Sequence, residues 1–261
     1  MKELTLGAHI LLWNEAPLLI DMLDNIYPLV DQIVVVEGSW TDQTDGKNLR
    51  SDDGTLELLG AYPDPENKIV ARYGTGDEAD ARNQALLSTT TDYILNVAAD
   101  ERWTHDAMKT LRQRLAWSRI YGGRPSCFRI FARTFYFNHE WFMWEDPLYV
   151  WERTPDLKFT GLVASNKDNL RAWANVEWFH FAYIGRERVK RKLDLYIGGD
   201  IYYNEVFSKV PDNPTAEDIE LACERNREIR GVPGMHLIFP NVTLASYTGK
   251  LRFDHTVSLF R

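Results

Sequence analysis

The stretch YILNVAADERW, residues 93–103, opens as an apolar run and closes on Asp100, Glu101 and Arg102 in succession. Side chains at the carboxyl end of a buried parallel strand stand outside the sheet, where open α/β sheets bind their ligands. A carboxylate there can hold Mg2+ or Mn2+ against the oxygens of a diphosphate. The alternative is local. Asp is a good helix N-cap, and a helical pattern begins just downstream, so Asp100 fits that role too. Three further clusters close apolar runs: Asn14-Glu15, Glu37-Gly38-Ser39 and Tyr73-Gly74-Thr75. They are expected to gather with Asp100-Glu101 along one sheet edge. Neither a dinucleotide fingerprint nor a P-loop occurs. An acidic cleft without such a loop can still hold a diphosphate through a divalent cation.

These residues need a scaffold that brings strand ends together. LTLGAHILL, DQIVVVEG, KIVARYG and DYILNVA read as buried strands. Between them NEAPLLIDMLDNIYPLV, LELLGAYP and GDEADARNQALLSTT read as helices, with Pro17 tolerable in a first turn. Residues 39–55 are polar and form a long loop. Strands alternating with helices imply βαβ crossovers and an α/β fold with a mainly parallel sheet. After Glu101 the pattern changes. HDAMKTLRQRLAWSRI is helical, CFRIFARTFYFN alternates like a half-exposed strand, LYVWERTPDLKFTG reads as strand, turn and short strand, and VEWFHFAYI as another strand. Helical patterns dominate beyond residue 184. The expected organisation is a nucleotide-binding and catalytic domain over 1–184 and a helical to mixed extension over 185–261, packed on the same domain.

Bulk properties narrow the function. At 44% hydrophobic and 26% charged, the 261-residue chain has the make-up of a soluble globular protein whose core needs no staples. Its net charge of -8 argues against a general binder of nucleic acid or anionic membrane. The one dense basic run, Arg186 to Tyr196, reads as a solvated helix face. Cys127 and Cys223 stand far apart in no metal-like spacing, which fits a reducing, cytoplasmic setting. No apolar stretch is long enough to span a bilayer, and the first apolar run meets Asn14 and Glu15 too early for a signal sequence.

In order along the chain, HILLWNEAPLLIDML, VDQIVVVEGSWTDQT, SDDGTLELL, DEADARNQAL and DYILNVAADERW resemble the segments of a family-2-type glycosyltransferase of the GT-A fold, in the nucleotide-diphospho-sugar transferase superfamily. The match is good over residues 5–105 and looser to about 188. The resemblance implies a Rossmann-like mixed sheet and transfer of a sugar from a nucleotide-diphosphate sugar, UDP-linked first, usually with inversion and with Mn2+ or Mg2+. It implies a donor cleft that includes Asn14, Glu15, Glu37, Asp53, Arg82, Ala99 and Asp100. Glu37 would contact the nucleoside, Asp53 would stand near the base or ribose, and Arg82 would lie near the diphosphate or order the cleft. Each has a plainer reading: Glu37 could cap the loop, Asp53 could cap a helix or turn, and Arg82 could pair with Asp77 or Asp80. Asp42 is a second choice for the Asp53 role.

The departures from the family pattern are equally definite. Ala98 stands where the Asp-x-Asp motif has its first acid, leaving Asp100 with Glu101 beside it. A second metal ligand is then wanted. EWFHFAYIGRERVKRK resembles the later segment that carries a strand-end His, so His180 is the candidate ligand and Arg186 or Arg188 a diphosphate partner. Its aromatic neighbours also suit a core histidine. Ser165 stands where related sequences carry a catalytic Glu. Asp146, with Glu145 beside it, becomes the candidate base, although Asp146-Pro147 could simply open a turn. A degenerate nucleotide-sugar binder and a nucleotidyltransferase are the alternatives. The latter usually has a glycine-rich basic loop, which LLWNEAP lacks. Glycan, lipid-linked sugar, protein, small molecule and modified nucleic acid all stay open as acceptor, and the oligomeric state is open too.

Overall fold

A computed structural model describes residues 3–41, 44, 46–121, 127–136, 139–141, 148–161 and 171–183, with scattered positions between 190 and 225. The apolar runs that open the chain become β1 (Leu6–Leu12), β2 (Gln32–Glu37), β3 (Ile69–Tyr73) and β4 (Tyr93–Val97). Between them lie α1 (Ala16–Ile26), α2 (Thr55–Ala61) and α3 (Glu78–Leu87). The helix expected to reach Val30 ends its α-turns at Ile26 and passes through a 3-10 turn, Tyr27–Leu29, where Pro28 withholds a backbone donor.

Further along lie β5 (Glu101–Arg102), α4 (His105–Tyr121), β6 (Cys127–Tyr136), β7 (His139–Trp141), β8 (Leu148–Glu152) and β9 (Arg171–Tyr183). The strand order is β3-β2-β1-β4-β8-β6-β9-β5, with β7 also paired to β6. The first four strands are parallel, and β8 runs antiparallel to β4 and to β6. This is an α/β fold with a mixed, mainly parallel sheet and flanking helices. Leu12 pairs with Glu37, Glu37 with Tyr73, and Ile10 with Val97, so the four parallel strands end on one edge as expected. The order reverses between β1 and β4, and that is the point where such sheets open a crevice.

The core lies on both faces of these strands. Every residue of β2 and β4 is buried. One face carries Val34 and Val36 against Ala81 and Ala85 of α3. On the same face Ile94 and Trp151 meet Leu157 and Phe159. Small residues on α3 let an otherwise polar helix sit close to the sheet. Among the described residues no helix is long and apolar enough to cross a membrane.

The chain divides into two compact units. One comprises Met1–Phe131, Asp146–Trp178 and Arg252–Arg261, the other Ala132–Glu145 and Phe179–Leu251. The parallel strands, helices α1 to α4 and the Asp100-Glu101 turn all belong to the first. The boundary expected at residues 184 and 185 lies outside the described residues.

Candidate functional site

The turn that closes β4 is built by its own side chains. The Glu101 backbone N–H donates to the Ala98 carbonyl at 3.0 Å, and the Glu101 carboxylate returns the link by accepting from the Ala98 N–H at 2.9 Å. Its other oxygen accepts from the Tyr149 hydroxyl at 2.9 Å. Asp100 and Glu101 are both buried, and a carboxylate oxygen of each lies within 4.8 Å of the other. Trp103 stacks on Trp178 with ring centres 6.0 Å apart, and Tyr149 packs against Trp178 at 4.8 Å. Through Tyr149, Glu101 is thereby linked to this group of aromatic rings.

Arg102 is fully buried beneath them. Its guanidinium donates to the carbonyls of Ala99 and Glu101 at 2.7 Å each, to the Leu18 carbonyl at 3.2 Å, and to Asp21 at 2.9 and 3.0 Å. Burial lifts the Asp21 carboxyl above the usual range, against the pull of the Arg102 cation. Asp100 does not cap the next helix. Thr104 does, accepting the Ala107 N–H at 3.0 Å. The two residues of β5 separate Asp100 from the helix start, which puts it out of capping range.

A second cluster forms at the ends of β1 and β2. Three successive amides, of Asn14, Glu15 and Ala16, donate to Ser51 Oγ, Thr55 Oγ1 and Asp53 Oδ2 at 3.0, 3.0 and 3.1 Å. These are amides at the start of α1, which lack partners inside the helix. Asn14 adopts the left-handed conformation at φ 51°, which Asn tolerates better than most residues, and accepts the Asp52 N–H at 2.9 Å. The other Asp53 oxygen accepts from the Thr55 amide at 3.1 Å and the Thr55 hydroxyl at 2.5 Å. Gly54 sits between them at φ +93°, where a side chain would be strained. Glu37 is buried and accepts the Ser51 N–H at 2.6 Å, with Arg50 Nε 3.5 Å from its second oxygen. Arg50 lies over the Tyr73 ring at 4.8 Å. Asn14, Glu15, Glu37 and Asp53 thus share one network, closed by the loop between β2 and α2.

Arg82 is buried on α3. It pairs with Glu78 through Nε at 3.0 Å and through a terminal nitrogen at 2.7 Å. The expected alternatives Asp77 and Asp80 are instead joined to each other as the capping box of α3. Glu78 lies one turn before Arg82, on the same face of the helix, so it wins the contact.

His9, on β1, went unremarked in the sequence because it sits inside an apolar strand. Its Nε2 lies 2.5 Å from the Thr89 hydroxyl, which also lies 2.9 Å from the Ala85 carbonyl. Burial first, and the Arg82 charge second, push its pKa down to about 3. Ser51, Thr55 and Tyr149 were missed as well. The small hydroxyl residues flanking Asp-Asp-Gly were the available signal for the first two.

His180 lies on β9, half-buried, and belongs to the second unit. Glu145, Asp146, Ser165, Arg186, Arg188 and Asp42 lie outside the described residues.

No family model matches the chain, and no curated protein matches it. Among solved structures, glucosyl-3-phosphoglycerate synthase from Mycobacterium tuberculosis, with Mn2+, UDP and glucosyl-3-phosphoglycerate, is similar at 18% identity and a TM-score of 0.33. That likeness covers 49% of this chain and 44% of the synthase, so the chain spans less than half the synthase's length. TarS residues 1–349 from S. aureus, with UDP-GlcNAc, is similar at 13% identity and a TM-score of 0.45, over 86% of this chain and 73% of TarS. At this level of likeness neither comparison says what this chain does.

Proposed function

We propose that the chain is a glycosyltransferase. It would move a sugar from a nucleotide-diphosphate sugar, UDP-linked first, to an acceptor hydroxyl, with inversion and with Mn2+ or Mg2+. One observation carries this reading: two buried carboxylates stand side by side on the strand-end edge, at the reversal of the strand order. Two adjacent carboxylates at a strand end can share the coordination of one divalent cation.

The residues present fit such an ion. Asp100 and Glu101 offer hard oxygen ligands of the kind that Mn2+ and Mg2+ take, and His180 keeps the assignment as further ligand that the resemblance gave it. When bound, the ion supplies charge neutralisation for the departing diphosphate.

The other roles belong to this chain's own groups. Glu37 orders the loop before α2 through the Ser51 N–H, on the side assigned to the nucleoside. Asp53 holds the start of α1, which shapes the cleft next to Asn14 and Glu15. Arg82, neutralised by Glu78, orders α3, and Arg186 is assigned to the diphosphate. Inversion requires a base on the face opposite the leaving group, and Asp146 with Glu145 is assigned to it. The Ala99 backbone shares the turn.

The test is UDP release from a panel of UDP-sugars with Mn2+. Slow release by the wild type, abolished by EDTA and by Asp100→Asn, supports the reading. Turnover indifferent to both would overturn it. His180→Ala should raise the Mn2+ needed for half-maximal rate, and an unaltered titration would remove His180 from the set. A second reading, binding without transfer, draws on Ala98, whose N–H is taken by Glu101. Calorimetric binding of a UDP-sugar with no turnover for any acceptor would favour it.

A further inference from the structure

We infer that Arg102 is a positioning residue, whose guanidinium sets the backbone that presents Asp100 and Glu101; this rests on the cation-binding role proposed for that turn. Three peptide planes surround Asp100, and each is tied. The plane before it is held by the Ala99 carbonyl on Arg102 at 2.7 Å. The plane after it is held by the Glu101 N–H on the Ala98 carbonyl at 3.0 Å. The next plane is held by the Glu101 carbonyl on Arg102, again at 2.7 Å and on the same nitrogen. With those planes tied, the backbone torsions of Asp100 are restrained from both sides.

The same cation reaches α1. It donates to Leu18 and forms an ion pair with Asp21, so the turn is referenced to the helix that follows β1. A buried guanidinium can do this because it offers five donors in a rigid plane, which lysine cannot reproduce. Asp21 is its counter-ion through Nε and one terminal nitrogen, while the two carbonyls of the turn are held by the other terminal nitrogen.

Arg102→Lys and Asp21→Asn separate the two jobs. Mn2+ affinity is read by the electron paramagnetic resonance signal of free Mn2+, with no donor present. Amide exchange is read by mass spectrometry over residues 97–104. Arg102→Lys should weaken Mn2+ at least tenfold and speed exchange in that segment, while circular dichroism shows a folded protein. Asp21→Asn should lower the melting temperature yet leave Mn2+ affinity within twofold. Equal loss of affinity in both variants, or unchanged affinity and exchange in a folded Arg102→Lys protein, would overturn the inference. If wild-type protein binds no Mn2+, the cation reading fails, and the exchange data alone decide whether Arg102 sets the turn. If Arg102→Lys does not fold, Arg102→Gln is measured in the same two assays.

Discussion

Glu101 shows how much one side chain does in the turn. It reaches back to the Ala98 amide and forward to the Tyr149 hydroxyl, and it lies beside Asp100. Removing the hydroxyl takes a donor from a buried charged oxygen, so Tyr149→Phe should cost about 2 kcal/mol in urea unfolding. His9 offers a pH readout. Its folded pKa of about 3 lies below the ordinary value of 6.5, so only the unfolded chain takes up a proton between those values. Its contribution is complete above pH 6.5 and is lost as pH falls toward 3. Between neutral pH and about pH 5 the loss should be about 2 kcal/mol. His9→Gln keeps a polar side chain beside Thr89 without an ionisable ring and should flatten that slope in denaturation curves taken at each pH. An unchanged slope would show that His9 titrates normally.

Among the elements, α1 has the most demanding position. Its first amides are satisfied from the loop before α2, and its body is pinned to the β4 turn by Arg102. Asp53 serves both ends of that arrangement, accepting from Ala16 and from Thr55. Asp53→Ala should therefore cost more than an ordinary cap, about 2 kcal/mol against about 1 kcal/mol for Asp77→Ala at α3. Urea unfolding of the two variants measures the difference. Faster amide exchange at the start of α1 in Asp53→Ala alone would locate it. Equal costs would mean that the loop holds α1 without Asp53. The DGT pattern made this segment legible as a helix start. That its Asp also holds a different helix could not be read, because Ala16 and Asp53 are far apart in sequence.

For the molecule as a whole, the proposed cation should bind the folded chain and not the unfolded one. Mn2+ at a hundredfold excess over its dissociation constant should add about 2.7 kcal/mol of stability. The wild-type melting temperature should then rise by several degrees, and Asp100→Asn should lose that rise. An equal rise in the variant would place the ion elsewhere. The four parallel strands and three crossover helices were legible in the sequence, since a buried strand needs an unbroken apolar run and each run here is bounded by polar residues. The gathering of their ends followed from the alternation of strand and helix. β5 and β7 were not legible, because two or three residues carry no periodicity and become strands only when a partner offers its edge. The residue types for the chemistry, two acids at a strand end, were set by sequence alone. Tertiary structure decided what surrounds them: that Arg102 faces down onto carbonyls, that Glu78 claims Arg82, and that Tyr149 reaches Glu101 from another strand. Hydrogen bonds act over about 3 Å in space, whatever the distance along the chain, and only the folded sheet brings such partners together.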